Sequence, residues 1–152
     1  MHRYIQGTLA TPLAGVELSE LPNYADAFRL LTLRAKLVTS ATVSNRWPHI
    51  QFVSPSGNVI HEVAPHAAQA ASTAVYYDLC GSGGASLDGS AVNDDVSSMS
   101  LPDFWWPAGT KVVSVTTNLQ AADQWEDVYW SALVGEEFEH LKWLSEIAAS
   151  LG

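Results

Sequence analysis

Two-residue alternation constrains this chain more than any other feature. In FRLLTLRAKLVTSATV (28–43), Leu31, Leu33, Ala35 and Leu37 alternate with Thr32, Arg34 and Lys36. That period puts apolar side chains on one face and charges on the other, the pattern of a half-buried strand. The same grammar recurs. WPHIQFVS alternates Ile50 and Phe52 against His49 and Gln51. SPSG (54–57) has Pro and Gly where a tight turn wants them, and NVIHEV follows, so 46–63 reads as a β-hairpin. STAVYYDL (72–79) is β-branched and aromatic. LPDFWW opens a strand, Pro107 and Gly109 make a turn, and TKVVSVTT is another strand. QWEDVYWSALV is a long one, with Trp125, Tyr129 and Leu133 on one face and Val128, Trp130, Ala132 and Val134 on the other.

Other stretches lack this period. Residues 1–26 carry Gly7, Pro12, Gly15 and Pro22 and read as an extended N-terminal arm, of a kind that gains order from a partner. Residues 81–100, rich in Gly, Ser and Asp, read as a long loop. After Gly135 the period turns helical: Phe138, Leu141, Leu144, Ile147 or Ala148, and Leu151 fall on one stripe, with Glu136 and Glu137 in the first turn, where the helix dipole favours negative charge. No strand–helix–strand alternation occurs, so the expectation is an all-β antiparallel sandwich, jelly-roll-like, over 27–135. The arm (1–26) precedes it and one C-terminal helix (136–152) follows.

With 152 residues, 47% hydrophobic and 15% charged, the chain is long and apolar enough for one packed domain. Sixteen acidic against seven scattered basic residues give a net charge of -9, which argues against a nucleic-acid partner. No apolar run reaches membrane-span or signal-peptide length, so no membrane partner and synthesis in a cytoplasm are expected. The lone Cys80 has no internal disulfide partner.

HEVAPH (61–66) superficially resembles a zinc-protease motif. His61 and His66 are five positions apart, not four, and would lie about 140° apart on a helix. Pro65 would break that helix. The stretch is better read as a strand end with solvated histidines, and completion of a metal site by His49 has nothing to demand it. CGSGGAS (80–86) lacks the dinucleotide-binding spacing. Asp88, Asp94 and Asp95 lack the regular calcium-loop pattern. Glu126 and Asp127, adjacent on a strand, should point to opposite faces. No catalytic residues, metal or cofactor are therefore expected, and the chain is read as a non-enzyme.

The aromatic residues stand out instead. Trp105 and Trp106, consecutive on a strand, should face opposite sides, one core and one surface. Surface aromatics are interface anchors, so Trp105, Trp106, Trp143, Phe138 and Tyr4 are the candidate partner-interface residues.

LPDFWWPAGTKVVSVTTNLQAADQWEDVYWSALVGEE (101–137), together with 34–63 and 68–79, resembles small β-sandwich structural proteins of tailed-bacteriophage virions. The likeness rests on a Leu-Pro opening, a Pro-x-Gly turn, a Val/Thr strand, a Gln-x-x-Asp-Gln-Trp segment and a final strand ending in Val and Glu. It spans about 28–137. The resemblance implies a virion component assembled in the host cytoplasm: a capsid decoration or cement protein, partnered by the major capsid protein and by copies of itself, with a homotrimer as the natural form. It equally accommodates a neck or tail component (a collar or fibre attachment). From another class, a carbohydrate-binding module could use Trp47, Trp105 and Trp106 to stack on sugar rings.

Overall fold

The computed structural model describes residues 3–19, 27–81, 95–135 and 147–151. Eight strands run in chain order: β1 Arg3–Leu9, β2 Phe28–Val38, β3 Trp47–Val53, β4 Val59–Val63, β5 Ala74–Cys80, β6 Asp95–Ser100, β7 Lys111–Thr117 and β8 Gln124–Val134. They form a five-stranded sheet in the order β1-β8-β2-β5-β6 and a three-stranded sheet in the order β4-β3-β7. Of 136–152, where a helix is expected, residues 147–151 are described, and they are helical. The fold is all-β, with the two sheets packed as a sandwich.

The core lies between the sheets. Leu33, Ala35 and Leu37 of β2, Tyr77 and Leu79 of β5, and Trp125, Val128 and Ala132 of β8 meet Ile50 and Phe52 of β3 and Val112 of β7. The alternation thus carries its expected meaning, but two bulges shift its phase. In β2 the register against β8 slips between Leu30 and Thr32, so Leu30 takes a core position and Leu31 does not. In β8 the slip between Glu126 and Tyr129 coincides with Asp127 at φ 51°. An extra residue in one strand re-phases all that follows. Trp125 therefore shares the buried side with Val128, and Tyr129 lies on the outer face, correcting the strict reading that grouped Trp125 with Tyr129.

Three further expectations are corrected. The sheets are not wholly antiparallel, because β6 pairs with β5 in parallel. Its residues 95–100 fall in the stretch expected to be loop, because DVSSMS is too serine-rich to announce a strand. LPDFWW forms no strand; Trp106 makes an isolated bridge to Phe28 and is buried at its place in the core. Finally, much of the arm belongs to the sandwich. β1 pairs with β8 along its whole length, in unbroken register from Arg3↔Val134 to Leu9↔Val128.

The segment after β1 closes one end of the small sheet. Gly15 donates its N–H to the Asp123 carbonyl at 2.7 Å, and its φ of 74° suits glycine. A Cβ there would lie 2.9 Å from the Ala121 carbonyl oxygen. Ser114 N–H donates to Leu18 O at 2.9 Å, and Leu18 N–H donates to Ser114 Oγ at 2.8 Å. The Glu17 carboxylate accepts from Thr116 N–H, from Thr116 Oγ1 at 2.7 Å, from Ser114 Oγ at 3.1 Å and from Trp125 Nε1 at 3.2 Å. Residues 17–18 thereby cover the free edge of β7, a common way to blunt a sheet edge.

Candidate functional site

A buried polar cluster lies where the loops 39–46, 69–73 and 118–123 meet. Arg46 and Asp123 are almost fully excluded from solvent, at 0% and 1% exposure. Arg46 donates Nε to Asp123 Oδ2 at 2.9 Å and Nη2 to Oδ1 at 3.1 Å. Nη1 donates to the Ser44 carbonyl and Nη2 to Ser40 Oγ at 3.1 Å. Asp123 also accepts the N–H groups of Ser40 and Gln120, each at 2.8 Å. Burial alone would raise its pKa, but the Arg46 guanidinium and these N–H donors outweigh burial and hold the carboxylate below its ordinary range. The Arg46 backbone exchanges two hydrogen bonds with Gln69, whose side chain accepts from Tyr77 Oη at 2.9 Å and donates to Leu37 O at 2.8 Å. Every link joins the chain to itself, so this cluster locks the loop end of the sandwich. Sequence reasoning missed it: Arg46 and Asp123 are 77 positions apart, and neither sits in a motif.

The outer face of the five-stranded sheet is also occupied with itself. Arg34 pairs with Asp78 at 3.0 Å, and Lys36 with Glu126 at 3.5 Å. Both cations lie over the Tyr76 ring, at 4.2 and 5.2 Å from its centroid. Tyr76 Oη donates to Asp127 Oδ2 at 3.3 Å. The bulge at Asp127 thus brings Glu126 and Asp127 to the same side, against the expectation of opposite faces. Candidate Tyr4 lies on this face too, 55% exposed, and donates to Gln6 Oε1 at 3.2 Å; Tyr129 donates to the same oxygen at 2.8 Å.

The outer face of the three-stranded sheet is different. Alternation in β3 and β7 turns Trp47, His49, Gln51 and Val53, with Lys111, Val113, Val115 and Thr117, away from the core. Trp47 is 42% exposed and Val115 45%. Trp47 is held by a hydrogen bond from Nε1 to Pro65 O at 3.0 Å and lies beside the His49 ring at 5.5 Å. His49 Nδ1 is 2.7 Å from Glu62 Oε1, and Gln51 Nε2 donates to Glu62 Oε2 at 2.7 Å. Those hydrogen bonds, from Gln51 first and His49 second, hold the Glu62 carboxylate below its usual pKa range. Valines and a tryptophan thus stand on the solvent side of a two-layer sandwich, where polar residues are the rule.

The candidates from the sequence do not converge. Trp106 is buried, stacked on Phe52 at 4.4 Å, and is no surface anchor. Trp105 is half-buried beside it, while Phe104 is 56% exposed. Phe138 and Trp143 lie outside the described residues, as do Asp88 and Asp94. Leu151, placed on the helix's packing stripe, is 83% exposed. His61 faces the Phe52 and Trp106 rings, on the side opposite His49, and His66 is exposed. Among the described residues, no helix is long and apolar enough to cross a membrane.

No protein-family model matches the sequence, and no curated protein matches it. Among solved structures, a chain from the structure of infectious bursal disease virus Gx strain aligns at 11% identity and a TM-score of 0.27, covering 88% of this chain and 28% of that one. A chain from the Gt strain of the same virus aligns at 10% identity and a TM-score of 0.24, covering 88% and 30%. This chain therefore spans less than a third of either viral chain.

Proposed function

We propose that the chain is a non-enzymatic structural subunit of a virion, most specifically a decoration or cement protein that bridges subunits of the major capsid protein. The observation that carries this reading is the outer face of the β4-β3-β7 sheet, where Trp47, Val113 and Val115 turn apolar surface to solvent around a hydrogen-bonded His49–Glu62–Gln51 group. The opposite face of the sandwich, by contrast, has its charges matched within the chain. A small sandwich with such a face is suited to lying flat on a larger surface. In this role the mechanism is mechanical: added interface area at the joints of a shell resists outward pressure. The resemblance of 28–137 to phage virion proteins supplies the class of partner, and a neck or tail position would use the same face.

The carbohydrate-binding reading loses Trp106 from its platform, since that ring is buried against Phe52. The test of the virion reading is co-sedimentation of purified protein with particles that lack it. Saturable binding at a fixed ratio to the capsid protein, weakened at least tenfold by Trp47→Ala, supports the proposal. An absence of binding overturns it.

A further inference from the structure

We propose that the chain pairs with a second copy of itself through the free edge of β1, across a two-fold axis at Gln6. The two sheets have four edges. That of β7 is covered by residues 17–18. That of β4 is broken by a register shift opposite Phe52 and Val53. The edge at β6 belongs to a strand that runs parallel to its neighbour. β1 is different: seven residues in unbroken register with β8, with no proline, no lysine and no bulge. Among the described residues it pairs with β8 alone. A long, regular edge that no other described strand pairs with is a template for another strand.

The sequence of β1 suits its own antiparallel copy. An axis at Gln6 uses the full strand and sets Arg3 opposite Leu9 of the second copy, Tyr4 opposite Thr8, Ile5 opposite Gly7, and Gln6 opposite Gln6. On the outer face this gives two aromatic–β-branched pairs flanking an amide pair, which are favourable cross-strand neighbours. On the inner face, Ile5 of each copy lies opposite Gly7, over which the Trp130 ring of that chain closes, 2.9 Å from where a Cβ would stand. No like charges face each other. Ile5, Leu9 and Trp130 are half-buried at this margin of the core, and a second copy would extend the sheet over them. An isologous pair of this kind uses the edge in both copies and leaves none open. The dimer is tested on the free chain and the virion reading on particles; the pairing sets a dimer in place of the homotrimer that the phage resemblance implies.

The experiment is light scattering on the size-separated full chain, with three variants at the axis. The native chain should have twice the monomer mass. Gln6→Lys and Gln6→Glu each set like charges opposite one another, and each should weaken the dimer about tenfold. Mixed in equal amounts, the two should recover it. In a Cys80→Ser background, Gln6→Cys should oxidise to a covalent dimer, because opposed residues lie about 4.5–5.5 Å apart between Cα atoms. Thr8→Cys should not, since its two copies would be offset by four residues, about 13 Å along the strand. Gln6 and Thr8 are both exposed, so folding is not at stake, and thermal melts check it. A monomer or trimer mass for the native chain would overturn the proposal. So would a dimer indifferent to both charge variants, or a covalent dimer through Thr8→Cys.

Discussion

Asp123→Asn changes one atom in the chain's most buried polar cluster, and its cost follows from the hydrogen bonds around that atom. The native carboxylate accepts four close hydrogen bonds: two from Arg46, one from Ser40 N–H and one from Gln120 N–H. An amide keeps the volume but accepts at one atom only. Its nitrogen must then face N–H donors, and the Arg46 guanidinium, at 0% exposure, loses its counter-charge. Breaking a buried ion pair by removing one partner costs about 3–5 kcal/mol. At about 2–4 °C per kcal/mol for a chain of this size, the melting temperature should fall on the order of 10 °C. Replacing both partners with apolar residues, as in Arg46→Met with Asp123→Leu, should cost less than the sum of the two single changes, because no buried charge is left unpaired. The pH dependence has a definite sign. The folded pKa lies below the ordinary aspartate value, so this stabilisation is present above about pH 4 and is lost as pH falls through the folded value. Thermal melts by circular dichroism between neutral and acid pH would measure both effects. If Asp123→Asn melts within a degree or two of the native chain at neutral pH, the cluster does not hold the loop end and the reasoning fails.

Glu17→Ala should cost about 1–3 kcal/mol by leaving the donors at Ser114, Thr116 and Trp125 without their acceptor, and hydrogen exchange should quicken at the Thr116 amide; an unchanged exchange rate would refute the latch. Gly7→Ala should destabilise by about 1–3 kcal/mol, because the added methyl meets the Trp130 ring; a melt equal to the native one would mean that the ring moves freely. Tyr77→Phe should cost about 1–3 kcal/mol by orphaning the Gln69 side-chain oxygen, measured by urea unfolding, and no loss would show that water replaces the phenol.

Six of the eight strands were legible because a half-buried strand must alternate, and β2, β3, β4, β5, β7 and β8 do so in plain view. β1 also alternates, with Ile5, Gly7 and Leu9 on one face, but the glycine and the prolines and glycines that follow masked it. β6 has little side-chain signal, since four of its six residues are serine or aspartate; tertiary pairing with β5 makes it a strand. Bulges were illegible for a different reason. A phase slip at Asp127 depends on the register against β2, which no local window contains. The Arg46–Asp123 cluster depends on contacts between remote loops. Of the candidate interface residues, Tyr4 is an exposed aromatic, while Trp106 is buried, because LPDFWW forms no regular strand and the alternation rule has no hold there. Trp47 was noticed for sugar stacking, but its outward position in a sheet face rich in valine emerged from the pairing of β3 with β7.

The most direct test of the virion reading is an imaging reconstruction of purified particles carrying this chain, with its density located against the capsid shell. The account predicts a sandwich at regular positions on the shell, with the Trp47–Val113–Val115 face turned onto the capsid subunits and the Arg34–Asp78 face turned to solvent. Particles without this density, or with the Trp47 face turned to solvent, would contradict it.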